Sequence, residues 1–328
     1  MQETNWNKIN QFLLIAFGIA WVSAYYMRFS QIPYGSNESI TILAFLYMPA
    51  PFIAAYITQR AIHNESLLNF GLTIKGVSWL WTLLYTPLLF FVFFLGTFLA
   101  IYVLGNNFQI QQFGHLDFSN EHFFDFMRKA MEEQKNEKLF PLDRLEQMPV
   151  SFAPLVLIAG LFVAFIAGYS INLPFTLGEE LGWRGLLQEE TRHWGYWKSN
   201  LFIGSIWGLW HAPIIMLGHN YPNYPIVGIG MMVLLCVSLS FTLSYIRYKT
   251  RTVFGPAAFH GMLNSSAGIA VMLIVAPNEL VGSIAGIAGV IGALFILAYI
   301  LIFDRKFITD YSVNTSSGTP IPPPPPSV

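Results

Sequence analysis

Two adjacent carboxylates and an arginine, in Glu179-Glu180-Leu181-Gly182-Trp183-Arg184, interrupt one of the most apolar stretches of the chain. Three lone polar side chains, His211, His260 and Asn264, interrupt two others. A carboxylate and a titratable imidazole can activate a water molecule, and two further hydrogen-bond donors can hold an oxyanion. Ionisable groups at membrane depth cost about 2.5–3.5 kcal/mol each on insertion scales, so they persist mainly where a polar cavity or a task holds them.

The spacing of these residues carries geometry. On a helix Glu180 and Arg184 are i,i+4 neighbours with the acid first, the favourable order for an ion pair. Glu179 projects about 100° away around the same helix. The simplest division has Arg184 neutralising Glu180 and leaves Glu179 to face a cavity. Pro174 should kink or start a helix, because it lacks an N–H and clashes one turn back. Thr176 sits three residues before Glu179, a weak capping pattern. His260 and Asn264, four apart, project from one helical face. Glu179 and His211 each lie 16 residues from Gly195, which closes the turn at Thr191–Gly195. In an antiparallel pair that symmetry puts both at one depth, roughly 15–20 Å from the turn. The alternative ends the apolar span before Pro174 and keeps Glu179 at the interface. Taken singly, each motif has a plain structural reading: a salt-bridged helix surface, a hydrogen-bonded core histidine, or interhelical glue.

The elements that must position these groups are apolar helices. The chain has 328 residues, of which 54% are hydrophobic and 11% charged. A soluble domain carries about 25% charged residues, so this composition cannot coat a water-facing surface. Apolar runs of at least about 18 residues recur, long enough to cross a hydrocarbon core. The expected fold class is all-α, a polytopic transmembrane helical bundle of about eight spans with a kinked, motif-bearing fourth helix. The spans fall near 9–27, 39–58, 78–104, 151–175, 198–217, 227–247, 253–276 and 280–303. One membrane-embedded domain then covers 1–304, with a long extramembrane loop at 105–150. In that loop Glu121 to Lys138 alternates Phe123, Phe124, Met127 and Met131 with charges at helical spacing, as in an amphipathic helix on the membrane surface. Residues 305–328 read as a Pro-rich, disordered cytoplasmic tail, with Pro320 and Pro322 to Pro326 at its end.

Lys and Arg bias orients the chain. Eleven of the 17 fall at the N-terminus, in the second, fourth and sixth loops and in the tail, which makes both termini cytoplasmic in a multi-pass protein of the cell membrane. The five in the third loop oppose that bias. A net charge of −1 without a basic stripe gives nucleic-acid binding no support. The single cysteine, Cys236, rules out an intrachain disulfide and reads as a small core residue.

Taken together, the residues resemble the CPBP intramembrane proteases, a family named for CAAX-processing and bacteriocin-processing enzymes. Its signature is E-E-x-x-x-R, F-x-x-x-H and H-x-x-x-N in that order. The first matches as Glu179, Glu180 and Arg184, the third as His260 and Asn264. The second has Trp207 in place of Phe, followed by His211. The resemblance covers about Phe175 to Asn264 and implies hydrolysis of a peptide bond within the membrane. By it, Glu179 and His211 hold and deprotonate the attacking water, and His260 and Asn264 donate to the tetrahedral oxyanion. Arg184 pairs with Glu180 and fixes the first helix. Trp183 and Trp207 are expected at the substrate cavity, although interface anchoring and packing also account for them.

The implied partners are a peptide or protein substrate, lipidated or not, and the lipid bilayer. No cofactor is expected. Zinc held by two histidines and a glutamate is the mechanistic alternative, disfavoured because the chain has no H-E-x-x-H. A non-catalytic scaffold or regulator of the same fold is the alternative from another class, and a midplane transporter a third that no repeat symmetry supports. The remaining histidines, His63, His115, His122, His193 and His219, are expected in connections or at the surface.

Overall fold

The structure, a computed structural model, describes residues 3–133 and 142–313. In chain order its main helices are α1 (Trp6–Phe29), α2 (Asn37–Ile62), α3 (Trp81–Asn107), α4 (Asn120–Glu133), α5 (Leu142–Glu146), α6 (Phe152–Tyr169), α7 (Leu173–Glu180), α8 (Tyr196–Trp210), α9 (Pro225–Thr250), α10 (Phe254–Leu273), α11 (Ile287–Phe303) and α12 (Arg305–Val313). Among the described residues the only sheet is an antiparallel pair of two-residue strands, β1 (His115–Leu116) and β2 (Ile274–Val275). The protein is an all-α polytopic bundle.

The span count differs from the expected eight. Five helices, α1, α2, α3, α6 and α9, are long and apolar enough to cross a membrane, or six if α11 and the stretch after it, bent by 88°, count as one. The stretches expected at 198–217, 253–276 and 280–303 are helical but fall short for identifiable reasons. α8 stops after 15 residues, at the break next to His211, and α11 has 17. α10 is long enough, but His260, Asn264, Ser265 and Ser266 dilute its apolar character. The residues proposed for chemistry are thus what disqualify their own helix as a simple span.

The fourth helix is broken rather than kinked. α6 ends at Tyr169, and Ser170 leaves helical geometry with φ −130° and ψ −92°. α7 begins separately with Pro174 in its first turn, where a missing N–H costs nothing. Asn172 fixes the joint, its Nδ2 donating to Gly261 O at 3.0 Å and Ser265 Oγ at 2.5 Å on α10. After Glu180 the chain widens into a π-helical stretch, Leu181–Leu187, before returning to α geometry.

Helix α8 packs along α9, and two glycines set how closely. A Cβ on Gly204 would fall 2.4 Å from Val237 Cα, and one on Gly208 the same distance from Val233 Cα. Small residues that let backbones approach are the usual means of holding helices together where no hydrophobic effect operates between them.

The two ends of the bundle differ in chemistry. At one end buried Lys8 bridges Glu65 at 2.5 Å and Glu190 at 2.7 Å, Arg247 meets Glu189 at 3.5 Å, and Tyr245 donates to Asp304 at 2.8 Å. Helix α12 docks here with Phe307 and Tyr311 buried against Tyr196, so the tail expected from 305 begins as a packed helix. Residues 314–328, with the proline run, lie outside the described residues. At the other end β1 pairs with β2, and Asn278 N donates to Gln112 O at 3.0 Å. There α4 lays Phe123 and Phe124 against Phe152 of α6, packed on the bundle rather than only on a membrane surface. The expected amphipathic helix ran to Lys138, but residues 134–141 lie outside the described residues.

Candidate active site

Helix α7 is held in place by its own polar side chains. Thr176 Oγ1 donates to Ala257 O on α10 at 2.8 Å, which fixes the rotation of the helix one turn before the glutamates. Glu179 is 3% exposed, and Glu180 and Arg184 are fully buried. The fourth span therefore ends before Pro174, and Glu179, beyond it, is buried inside the bundle.

Glu180 and Glu179 have separate partners. Glu180 Oε1 accepts from Arg184 Nη1 at 3.1 Å and from His260 Nδ1 at 3.0 Å. Arg184 Nη2 donates onward to Ser240 Oγ of α9 at 2.9 Å, and its guanidinium lies 4.4 Å from the centroid of Trp207. Buried charges persist when paired and hydrogen-bonded, and three helices supply partners here, although Glu180 Oε2 and Arg184 Nε are buried without one. Glu179 Oε2 instead accepts from the indole Nε1 of Trp207 at 3.1 Å. A phenylalanine at 207 could not make that bond. The departure from the expected motif therefore adds a donor to the carboxylate, a role that packing considerations alone did not foresee.

Trp207 organises the histidines as well. Its carbonyl accepts from His211 Nδ1 at 2.9 Å, so that nitrogen carries the proton and Nε2 keeps a lone pair. Its ring lies edge-on to His260, with centroids 5.3 Å apart. The carbonyl of Trp210, freed where α8 breaks, accepts from Tyr47 Oη at 2.5 Å and Trp21 Nε1 at 3.2 Å. These bonds satisfy the helix end that presents His211.

A cavity of about 310 Å³ gathers Glu179, Trp207, His211, His260 and Asn264 on one wall system. Asn264 is exposed at its edge, and Glu180 and Arg184 stand behind it. Trp183 is fully buried between Phe12 and Trp210 and does not belong to the lining, because its position on the π-helical stretch turns it toward α1. The cavity extends to residues of the connections after α1, α8 and β2, namely Tyr34, His219, Asn220, Ile284 and Ala285. His219 was expected at the surface, and Tyr34 had no motif or period to mark it. Apolar side chains such as Leu43, Met232, Leu235 and Leu263 complete the lining, and Cys236 is both buried and part of it.

Among the described residues no three His, Cys, Asp or Glu side chains are grouped as metal ligands. Both motif histidines already commit Nδ1, one to a carbonyl and the other to a carboxylate. Each ring keeps Nε2 as its remaining nitrogen, open to a hydrogen bond or a ligand bond alike.

Residues 149–266 match the family model of the Rce1-like type II CAAX prenyl endopeptidases. The matched stretch contains every residue of the three motifs, so the resemblance read from them is borne out over it. No curated protein matches the chain.

Proposed function

We propose, from the match of its motif-bearing stretch to an endopeptidase family, that this chain hydrolyses a peptide bond within the membrane by a metal-free route. The observation that supports it most directly is the placement of Glu179, His211, His260 and Asn264 around one cavity, with Glu179 held by Trp207. In this reading a water lies between Glu179 and Nε2 of His211. Glu179 takes its proton as the oxygen bonds to the scissile carbonyl carbon, and the carbonyl electron pair moves onto the oxygen. His260, whose Nδ1–H is given to Glu180, donates to that oxyanion from Nε2 in its protonated form, and Asn264 donates its amide. Collapse of the intermediate breaks the C–N bond, and Glu179 returns the proton to the leaving amine.

Glu180, Arg184 and Ser240 touch no substrate in this scheme; they hold His260 and Trp207 in register. The substrate is a peptide or protein segment that enters from the bilayer, and a lipidated one is compatible with the apolar lining. The chain sits in the cell membrane with both termini cytoplasmic, the arrangement the Lys and Arg distribution favours.

The test is peptide cleavage by purified, membrane-reconstituted protein against a fluorogenic library. Glu179→Gln should lower kcat at least about 100-fold, the lower range for loss of a general base, with an unchanged melting temperature. Chelator should leave wild-type activity intact. Cleavage by Glu179→Gln at the wild-type rate overturns the assignment, and loss on chelation that zinc reverses overturns the metal-free route.

A further inference from the structure

The cavity has a second polar wall that the water-activating groups do not use. His219 lines it beside His211, the two imidazoles nearly parallel at 6° with centroids 6.1 Å apart. Its Nδ1 lies 2.5 Å from Tyr34 Oη, and its Nε2 lies 3.1 Å from Asn220 Nδ2. All three residues line the cavity, and none belongs to the three motifs.

Donor and acceptor bookkeeping gives this group a direction. Burial lowers His219 to a pKa of about 4, so at neutral pH its ring has one N–H and one lone pair. Asn220 presents Nδ2, which can only donate, so Nε2 accepts and Nδ1 carries the hydrogen. Nδ1–H then donates to Tyr34 Oη, and the phenolic hydrogen is left for an acceptor outside the protein. Burial also raises Tyr34 to about 12, so that hydrogen stays in place throughout the physiological range. Tyr47, Glu179, His211, Cys236 and His260 are the other titratable groups on the cavity wall.

The backbone around His219 is shaped to present it. Gly218 has φ +108° and Asn220 φ +57°, so left-handed conformations flank the histidine on both sides. His219 N donates to Ile214 O at 3.0 Å, and its carbonyl accepts from Tyr221 N at 2.6 Å. A non-glycine residue held at positive φ is strain that the surroundings must impose, and such strain gathers at ligand sites.

We propose that Tyr34, oriented by His219, donates a hydrogen bond to a main-chain oxygen of the bound peptide and so sets which bond lies across Glu179 and His211. The proposal rests on the endopeptidase reading and adds a positioning pair to it. The oxygen is an internal carbonyl or a terminal carboxylate; both present the same acceptor to a phenol.

The test separates binding from cleavage. The probe is the peptide that wild-type protein cuts fastest in a library of apolar ten-residue fluorogenic peptides, made with a free acid and with an amidated C-terminus. Its Kd is measured on the inactive Glu179→Gln protein in lipid nanodiscs, with and without Tyr34→Phe. Tyr34→Phe, which keeps the ring, should weaken Kd about 5-fold, the usual size of one net hydrogen bond. His219→Phe should do the same, and His219→Asn, whose amide can stand in for Nδ1–H, should recover most of the loss. In the active protein KM should rise by more than kcat falls, and mass spectrometry of the products should show cuts spreading to neighbouring bonds. Equal losses for acid and amide assign a carbonyl, and a larger loss for the acid assigns the carboxylate. Tyr34→Phe binding within twofold of its parent and cutting only the same bond overturns the proposal, whatever becomes of the histidine variants. If Glu179→Gln itself cleaves at the parent rate, the assignment of Glu179 as base fails instead, and Tyr34→Phe is then judged by KM and product mapping in the active protein.

Discussion

Trp207 carries more of the site than its place in a permissive motif implies. Its indole donates to Glu179, its carbonyl accepts from His211, and its ring lies under Arg184. Trp207→Phe restores the residue the family pattern expects and removes only the first of these. It should lower kcat about 10-fold and lower the melting temperature as well, because a hydrogen bond to a charged group contributes roughly 1.5–3 kcal/mol to stability. Unchanged kcat would mean that the indole only packs. The residue types were legible from sequence: carboxylate, imidazole and amide in apolar surroundings are costly and conspicuous. The Glu180–Arg184 pairing and the freedom of Glu179 followed from helical angles. His219 was not legible, since a histidine just beyond an apolar run looks solvated until the connection folds back over the cavity. Its folded pKa of about 4 lies below the unfolded value of about 6.5. The unfolded chain therefore binds more protons between those values, and stability is present above pH 6.5 and falls as pH drops through 4. Thermal melts from pH 7 to pH 4 should show a smaller decline for His219→Asn than for wild type; parallel curves would place the acid sensitivity elsewhere.

At the level of elements, the positions of the apolar stretches were readable and their ends were not. A hydropathy window runs smoothly across His211, whereas α8 stops there, with Pro213 opening the next turn and the carbonyl of Trp210 accepting from Tyr47 and Trp21. The break before α7 depends on Asn172 reaching Gly261 and Ser265, partners about 90 residues away that no local pattern reveals. The seam between α8 and α9 has the same character: Gly204 and Gly208 look like ordinary glycines until Val233 and Val237 are seen against them. Gly208→Leu must push the two backbones apart at a point three residues from His211. It should cost about 1–3 kcal/mol of stability, as overpacked interiors do, and lower cleavage of the best library peptide more than any change confined to the lipid face. A Gly208→Leu protein with the wild-type melting temperature and rate would show that the close approach is dispensable.

For the whole molecule, the sequence pointed to the correct class, an all-α membrane bundle, but overcounted the helices that qualify as spans by themselves. Its orientation is open to direct measurement. With Cys236 replaced by Ala, a cysteine at exposed Asp125 should react with an impermeant maleimide added outside intact cells. One at exposed Ser66 should react only after lysis. The reverse pattern would invert the proposed topology and put the long loop in the cytoplasm. The polar end near Lys8 has a consequence for how the chain is made. Lys8 is translated well before one of its two carboxylates, Glu190, which lies more than 180 residues further along the chain. Until then the nascent N-terminal segment has Glu65 as its sole acidic anchor from this pair. The clasp shuts only once Glu190 has been made, so the Lys8 helix gains its second carboxylate together with the stretch bearing the glutamate motif.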